Sequence, residues 1–171
     1  MMYVKIFIAT IVFIWIYCII MMHRARRTNY ECALVLSRQI NKPLLVIGDP
    51  DKGLACSWLG PQYGTGDVCI DLKPKTAGVI AADMNEYLAK LPSDSHVIYI
   101  SGVLEYVPDI KTAIREIKRV SGGNLYITRV QWFSPVAYVY SAEGDVAQNI
   151  ITSYDTCGNI YYFKNPLRNI L

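Results

Sequence analysis

The sequence predicts an α/β fold: a mostly parallel sheet with helices on both faces, a C-terminal antiparallel hairpin, and a transmembrane helix in front. Three observations predict it. The N-terminus carries one long apolar run. Between residues 44 and 130, short apolar runs alternate with helical patterns, which is how strands joined by crossover helices read. After Gln131 the alternation gives way to two apolar-aromatic runs around a loop containing glycine, a hairpin pattern.

The apolar run comes first in the chain. Residues 1–22 carry a single charge, Lys5, and from Ile6 to Met22 the only hydroxyls are those of Thr10 and Tyr17. As a helix this run is about 25 Å long, close to the thickness of the hydrocarbon layer. A cleaved signal peptide is the competing reading, but Ile19-Ile20-Met21-Met22-His23-Arg24 offers no small-x-small site. Arg24, Arg26 and Arg27 outnumber Lys5 across the run, so the positive-inside bias predicts a single-pass protein with its body in the cytoplasm. The same arginines suit anionic lipid headgroups, which makes membrane lipids the first expected partner. The spacing predicts a linking helix over 28–41, capped at Thr28 or Asn29, with Cys32, Leu34, Val35, Leu36 and Ile40 on one face. The division is therefore 1–22 anchor, 23–41 basic juxtamembrane segment and linking helix, and 42–171 body.

Within the body the first strand is 44–47, four branched apolar residues ended by Gly48-Asp49-Pro50. A short helical segment follows at 54–59, then strands at 68–72 and 78–82. A short helix is predicted at 85–91 and a fourth strand at 96–101. Ile110, Ala113, Ile114, Ile117 and Val120 recur at three and four, predicting a helix over 109–120 that Gly122-Gly123 stops. The fifth strand is 125–130. Beyond it, 135–148 can hold a helix, and 150–154 with 160–163 form the expected hairpin.

Composition excludes several classes. The net charge is +3, and no Lys/Arg run interleaved with aromatics occurs in the body, which argues against nucleic acid. The five cysteines are odd in number and contain no C-x-x-C, so reduced cytosolic thiols fit better than a disulfide framework or zinc site. The two histidines, His23 and His96, are far apart in sequence and suggest no metal cluster.

In an open parallel sheet, ligands bind beyond the carboxyl ends of the strands. The polar residues predicted there are Gly48 and Asp49, Asp71, Asp83, then Ser101, Gly102 and Glu105, then Arg129. Glycine lets the backbone approach a ligand, and a following helix presents free amides. Asp71 lies about twenty residues beyond Gly48, the spacing at which dinucleotide folds place a carboxylate on a ribose diol. A helix cap or a turn before Pro74 is the competing role. Asp83 either accepts from an adenine amino group or caps the next helix. His96 belongs at the opposite end of its strand and is rejected as a base. Arg129, Trp132 and Phe133 either hold and wall a substrate or serve as surface charge and core.

One longer pattern resembles a family. It runs from Asp83 through Leu91-Pro92 to His96-Val97-Ile98-Tyr99-Ile100-Ser101-Gly102-Val103-Leu104-Glu105-Tyr106-Val107-Pro108-Asp109, and on through Glu116-Ile117-Lys118-Arg119-Val120 to Gly122-Gly123. It resembles the class I S-adenosylmethionine-dependent methyltransferases of the type 11-like, small-molecule kind. The likeness covers roughly residues 43–130. It implies a Rossmann-like sheet ending in antiparallel strands, S-adenosylmethionine as cofactor, and an unidentified small-molecule, lipid or protein methyl acceptor. It implies that Gly48, Asp49 and Ser101 line the cofactor, that Asp71 binds its ribose, and that Asp83 and Met84 flank its adenine. It places Glu105 and Tyr106 beside the sulfonium, as the candidate catalytic residues. The glycine loop diverges, since Pro50 and Lys52 stand where later glycines belong. A membrane-tethered module that kept the fold and lost the chemistry is the alternative. A nicotinamide dehydrogenase fits less well, because G-x-G-x-x-G is missing.

Overall fold

The computed structural model describes residues 2–53, 56–107, 109–128 and 160–161. No proline or glycine interrupts the first forty residues, so nothing breaks the helix that begins there. It runs unbroken as α1 (Met2–Ile40) and is long and apolar enough to cross a membrane. The helix start expected at Thr28 or Asn29 does not occur. Asn29 is buried in mid-helix, and its Nδ2 donates to Ile127 O (3.3 Å) and Thr128 Oγ1 (3.0 Å). The amide that sequence reading took for a cap ties α1 to the sheet.

The strands are β1 (Leu44–Ile47), β2 (Val68–Asp71), β3 (Ile80–Ala81), β4 (Val97–Ser101), β5 (Leu125–Thr128) and β6 (Ile160–Tyr161). Their order is β3-β2-β1-β4-β5-β6, and every described pairing is parallel. β1 sits at the centre, with Leu45 opposite Val68 on one side and Ile98 on the other. The winding reverses between β1 and β4. Both strands are buried along their whole length, which is why they read as unbroken apolar runs.

Alternate residues feed two cores. Leu45, Ile47, Ile70, Ile98, Ile100, Leu125 and Ile127 pack against Met84 and Leu88 of α3 (Met84–Ala89) and Ala113, Ile117 and Val120 of α4 (Ile110–Ser121). Leu44, Val46, Cys69, Val97, Tyr99 and Tyr126 pack beneath α1, against Ala33 with Tyr30, Leu34 and Leu36. Helices thus cover both faces, as the alternation predicts. A one-turn helix, α2 (Cys56–Leu59), lies in the β1–β2 connection.

The Glu116–Arg119 motif turns out to be a clamp. Arg119 Nε donates to Glu116 Oε2 (2.9 Å), while its terminal nitrogens donate to Leu91 O and Leu88 O (2.8 Å each) at the end of α3. Free carbonyls at a helix end need such donors.

A second expectation is corrected. Ile160–Tyr161 does not form an antiparallel strand; it pairs parallel to β5, with Leu125 opposite Ile160 and Tyr126 opposite Tyr161. About thirty residues separate β5 from β6, enough for the crossover a parallel pair requires. The expected helix within 135–148, the first hairpin strand at 150–154, and Arg129, Trp132 and Phe133 lie outside the described residues.

Candidate functional site

Of the predicted polar residues, the structure brings Gly48, Asp49, Asp71 and Ser101 together. The loop leaving β1 crosses the end of β2, and two carboxylates organise it. Asp71 Oδ2 accepts from the Asp49 amide (3.0 Å), and Asp71 Oδ1 accepts from the Lys73 amide (2.7 Å) and the Lys52 ammonium. In the Lys52–Asp71 ion pair the lysine side chain is 35% exposed and the carboxylate 10%.

Asp49 is buried and fully engaged. Its carboxylate accepts from the Asp51 amide (2.9 Å), the Thr76 amide (2.9 Å), the Thr76 hydroxyl and the Lys75 amide. Burial by itself raises the pKa of this carboxyl. The Thr76 hydroxyl and the three amides outweigh it and hold the group down to about 2. Asp49 is therefore a bolt between the β1 and β2 loops.

Four amides of the β1 loop find partners within the chain. The Gly48 amide donates to Ile70 O (2.9 Å), Asp49 to Asp71, Asp51 to Asp49, and Lys52 to Asp49 O (3.2 Å). Pro50 has no amide to give. Two of these amides go to carboxylates and two to backbone carbonyls; residues 54–55, ahead of the helix expected to present its amides, lie outside the described residues. Gly48 itself has φ +115°, and a Cβ there would lie 2.9 Å from Ser101 O, 3.0 Å from Val103 Cγ2 and 3.2 Å from the Tyr63 hydroxyl. The chain's own atoms close over it.

Asp83 is an N-cap: its Oδ1 accepts from the Asn85 (2.8 Å) and Glu86 (3.2 Å) amides. Met84 follows, buried in the α3 core. Asp83→Ala is expected to lower stability by about 1 kcal/mol and Asp83→Asn to leave it nearly unchanged, since asparagine caps equally well. Thermal unfolding followed by circular dichroism checks this.

Ser101, at the end of β4, is buried near the Tyr63 and Tyr99 phenols, and its Oγ makes no hydrogen bond of ordinary geometry. Glu105 and Tyr106 fall in a 3-10 turn, Leu104–Tyr106, just beyond it. Tyr106 is 50% exposed, and the Glu105 side chain lies outside the described residues. His96 stands at the start of β4, where its Nδ1 meets Ser95 Oγ (2.7 Å). That is the far end of the strand, so it belongs to no group above.

Sequence reading missed a second cluster beside the first. Arg26 is buried at 8% exposure and donates to Gln62 Oε1, while Tyr99 donates to Arg26 O (3.0 Å). Gln62 in turn donates to Lys52 O. Tyr30, Tyr63 and Tyr99 meet at centroid distances of 5.0–6.2 Å, Tyr99 edge-on to the other two. Burial pushes the Tyr99 phenol up to about 12 and raises Tyr63 as well. A tyrosine flanked by isoleucines in mid-strand was the available signal, since a buried hydroxyl needs a partner.

Two chemistries have little support. Burial, with the Asp49 and Asp71 charges behind it, pushes the Cys69 thiol up to about 12, and burial raises Cys56, so neither is a reactive thiolate. Among the described residues no group of three His, Cys, Asp or Glu side chains is placed to hold a metal ion.

Comparison with family models, with curated proteins and with solved structures gives no match to this chain.

Proposed function

We propose that this chain is a membrane-anchored, S-adenosylmethionine-dependent methyltransferase with a Rossmann-like body on the cytoplasmic side of its anchor. The observation that carries the reading is the place of Asp71. Its carboxylate ends β2 beside the β1 loop, one strand away from the reversal between β1 and β4, at the sheet end where doubly wound folds hold a ribose. The residue likeness over 83–123 adds to it.

The end of β2 suits a ribose diol once one side chain moves. The two hydroxyls of a diol are donors, as the Lys52 ammonium is. Swinging Lys52 out frees one acceptor position on Asp71 Oδ1, beside the Lys73 amide, for a charge-assisted bond. The amides of Gly48, Asp49, Asp51 and Lys52 are taken within the chain, so they do not meet a cofactor carboxylate. Bound there, S-adenosylmethionine supplies an electrophilic methyl group whose departure leaves the electron pair on sulfur as a neutral thioether. This chain's part is then alignment, which accounts for most of the acceleration in such transfers. Glu105 or Tyr106 would take a proton only from an acceptor that must lose one.

Calorimetric titration of the detergent-solubilised chain tests the reading. S-adenosylmethionine and its demethylated product are expected to bind, and Asp71→Asn to weaken both ten- to a hundredfold, about 1–3 kcal/mol. Binding of a nicotinamide dinucleotide instead would favour the dehydrogenase. A second reading, the non-catalytic relative, is favoured by one observation: Asp49, Asp71 and Asp83 are all engaged internally. A folded protein giving no heat with either ligand would select it.

A further inference from the structure

The direction of α1 decides which end of the sheet lies nearest the anchor. Near its middle, Arg26 and Asn29 bond Tyr99 of β4 and Thr128 at the end of β5. Farther on, Ser37 bonds Lys42, just before β1, and Arg38 pairs with Asp67, just before β2. The helix therefore passes strand ends first and strand starts last. The helical rise from Asn29 to Arg38 is about 13 Å, and a four-residue strand extends about as far, so helix and strands run side by side in opposite senses. The apolar run stops at Met22, about 10 Å along the helix from Asn29. The ends of β1, β2 and β4 thus lie on the anchor side of the body, and the strand starts lie about 25 Å from Met22.

The loops on that side carry the surface a bilayer would meet. His23, the first residue past the apolar run, donates from Nε2 to Gly60 O (3.1 Å). Just before Gly60 stand Trp58 and Leu59, 55% and 39% exposed. Leu72, directly after Asp71, is 66% exposed, and Lys73 and Lys75 beside it are exposed too. Arg24 and Arg27 project from the same level of α1. Exposure along α1 runs from Tyr3 to Tyr17 and gives way at Ile19, which is 6% exposed, so the body reaches the last turn of the apolar run. A tryptophan and leucines among lysines and arginines is an interfacial composition: rings and apolar side chains enter the headgroup layer while cations meet its anions.

We infer that the rim formed by Trp58, Leu59 and Leu72 rests on the lipid surface, with the ends of β1, β2 and β4 turned toward the bilayer. This rests on the anchoring proposed above. The acceptor class such a placement selects is a membrane-resident amphiphile that presents its headgroup from the surface.

The test uses the full chain in phosphatidylcholine/phosphatidylglycerol vesicles containing lipids brominated high on the acyl chain, which quench nearby tryptophan. The chain has three tryptophans, and single-tryptophan variants isolate Trp15 and Trp58; a third moves the probe to Gln39→Trp. The emission lost in Trp58→Phe alone gives the Trp58 signal without the multiple changes. Trp15 and Trp58 should both be quenched, and Trp58 at least twofold more than the probe at position 39. Quenching of Trp15 with Trp58 no more quenched than position 39 overturns the orientation and leaves the anchor standing. A Trp15 that is not quenched overturns the anchor, and the orientation with it.

Discussion

Gly48→Ala should destabilise the protein by about 3–5 kcal/mol, a large fraction of a domain's total stability. Two costs add. At φ +115° an alanine is held where L-residues are strained, about 1–3 kcal/mol. Its Cβ would also sit 2.9 Å from Ser101 O, a backbone atom of the central strand β4 that cannot turn aside. Relieving that contact means shifting β1 against β4, an overpacking cost of similar size. Gly60→Ala is the control. Its φ is +78°, but nothing lies within 4 Å of the added carbon, so only strain should remain. Thermal unfolding in detergent, followed by circular dichroism, separates the two. Equal shifts would mean that the contacts around Gly48 yield more easily than its geometry implies.

Asp49→Asn should cost about 1–3 kcal/mol: at Oδ2 the new NH2 would face two amide donors, and at Oδ1 it would face the Asp51 amide while the Thr76 hydroxyl turns to accept. The acid limb of stability gives an independent reading. The folded carboxyl titrates at about 2 against an ordinary 3.8, so it is depressed in the folded state. Its contribution is fully present above about pH 4 and is lost as pH falls from 4 to 2. The difference amounts to about 2 kcal/mol. Denaturant melts between pH 2 and 5 should show the native chain losing that much more than Asp49→Asn. A slope that does not change on substitution would place the acid sensitivity elsewhere.

Which features could be read in the sequence follows from where their determinants lie. β1 and β4 were legible because a strand buried on both faces must be a continuous apolar run. α4 was legible from its three-and-four spacing and the glycine that stops it. The strand-end placement of Asp71 was legible for the same topological reason, but its partner was not. Lys52 reaches Asp71 only through the fold of the β1 loop, and no local pattern announces that pairing. Asn29 and Arg26 were misread for a related reason. A polar residue in mid-helix carries no sign of being buried until the sheet that covers it is known. The direction of β6 was illegible because an apolar-aromatic run looks the same in either sense. Only the path of the connection decides it.

Lys52 is where the cofactor reading is most directly exposed to measurement. As the carboxylate is nearly buried and the lysine a third exposed, releasing the pair should contribute about 1 kcal/mol. Lys52→Ala is therefore expected to bind the demethylated product of S-adenosylmethionine, adenosyl homocysteine, five- to tenfold more tightly than the native chain in calorimetry. The full chain should melt within a few degrees of the native one. A Lys52→Ala protein that is folded and gives no heat, or binds more weakly than the native chain, would contradict a ribose site at Asp71 guarded by this lysine.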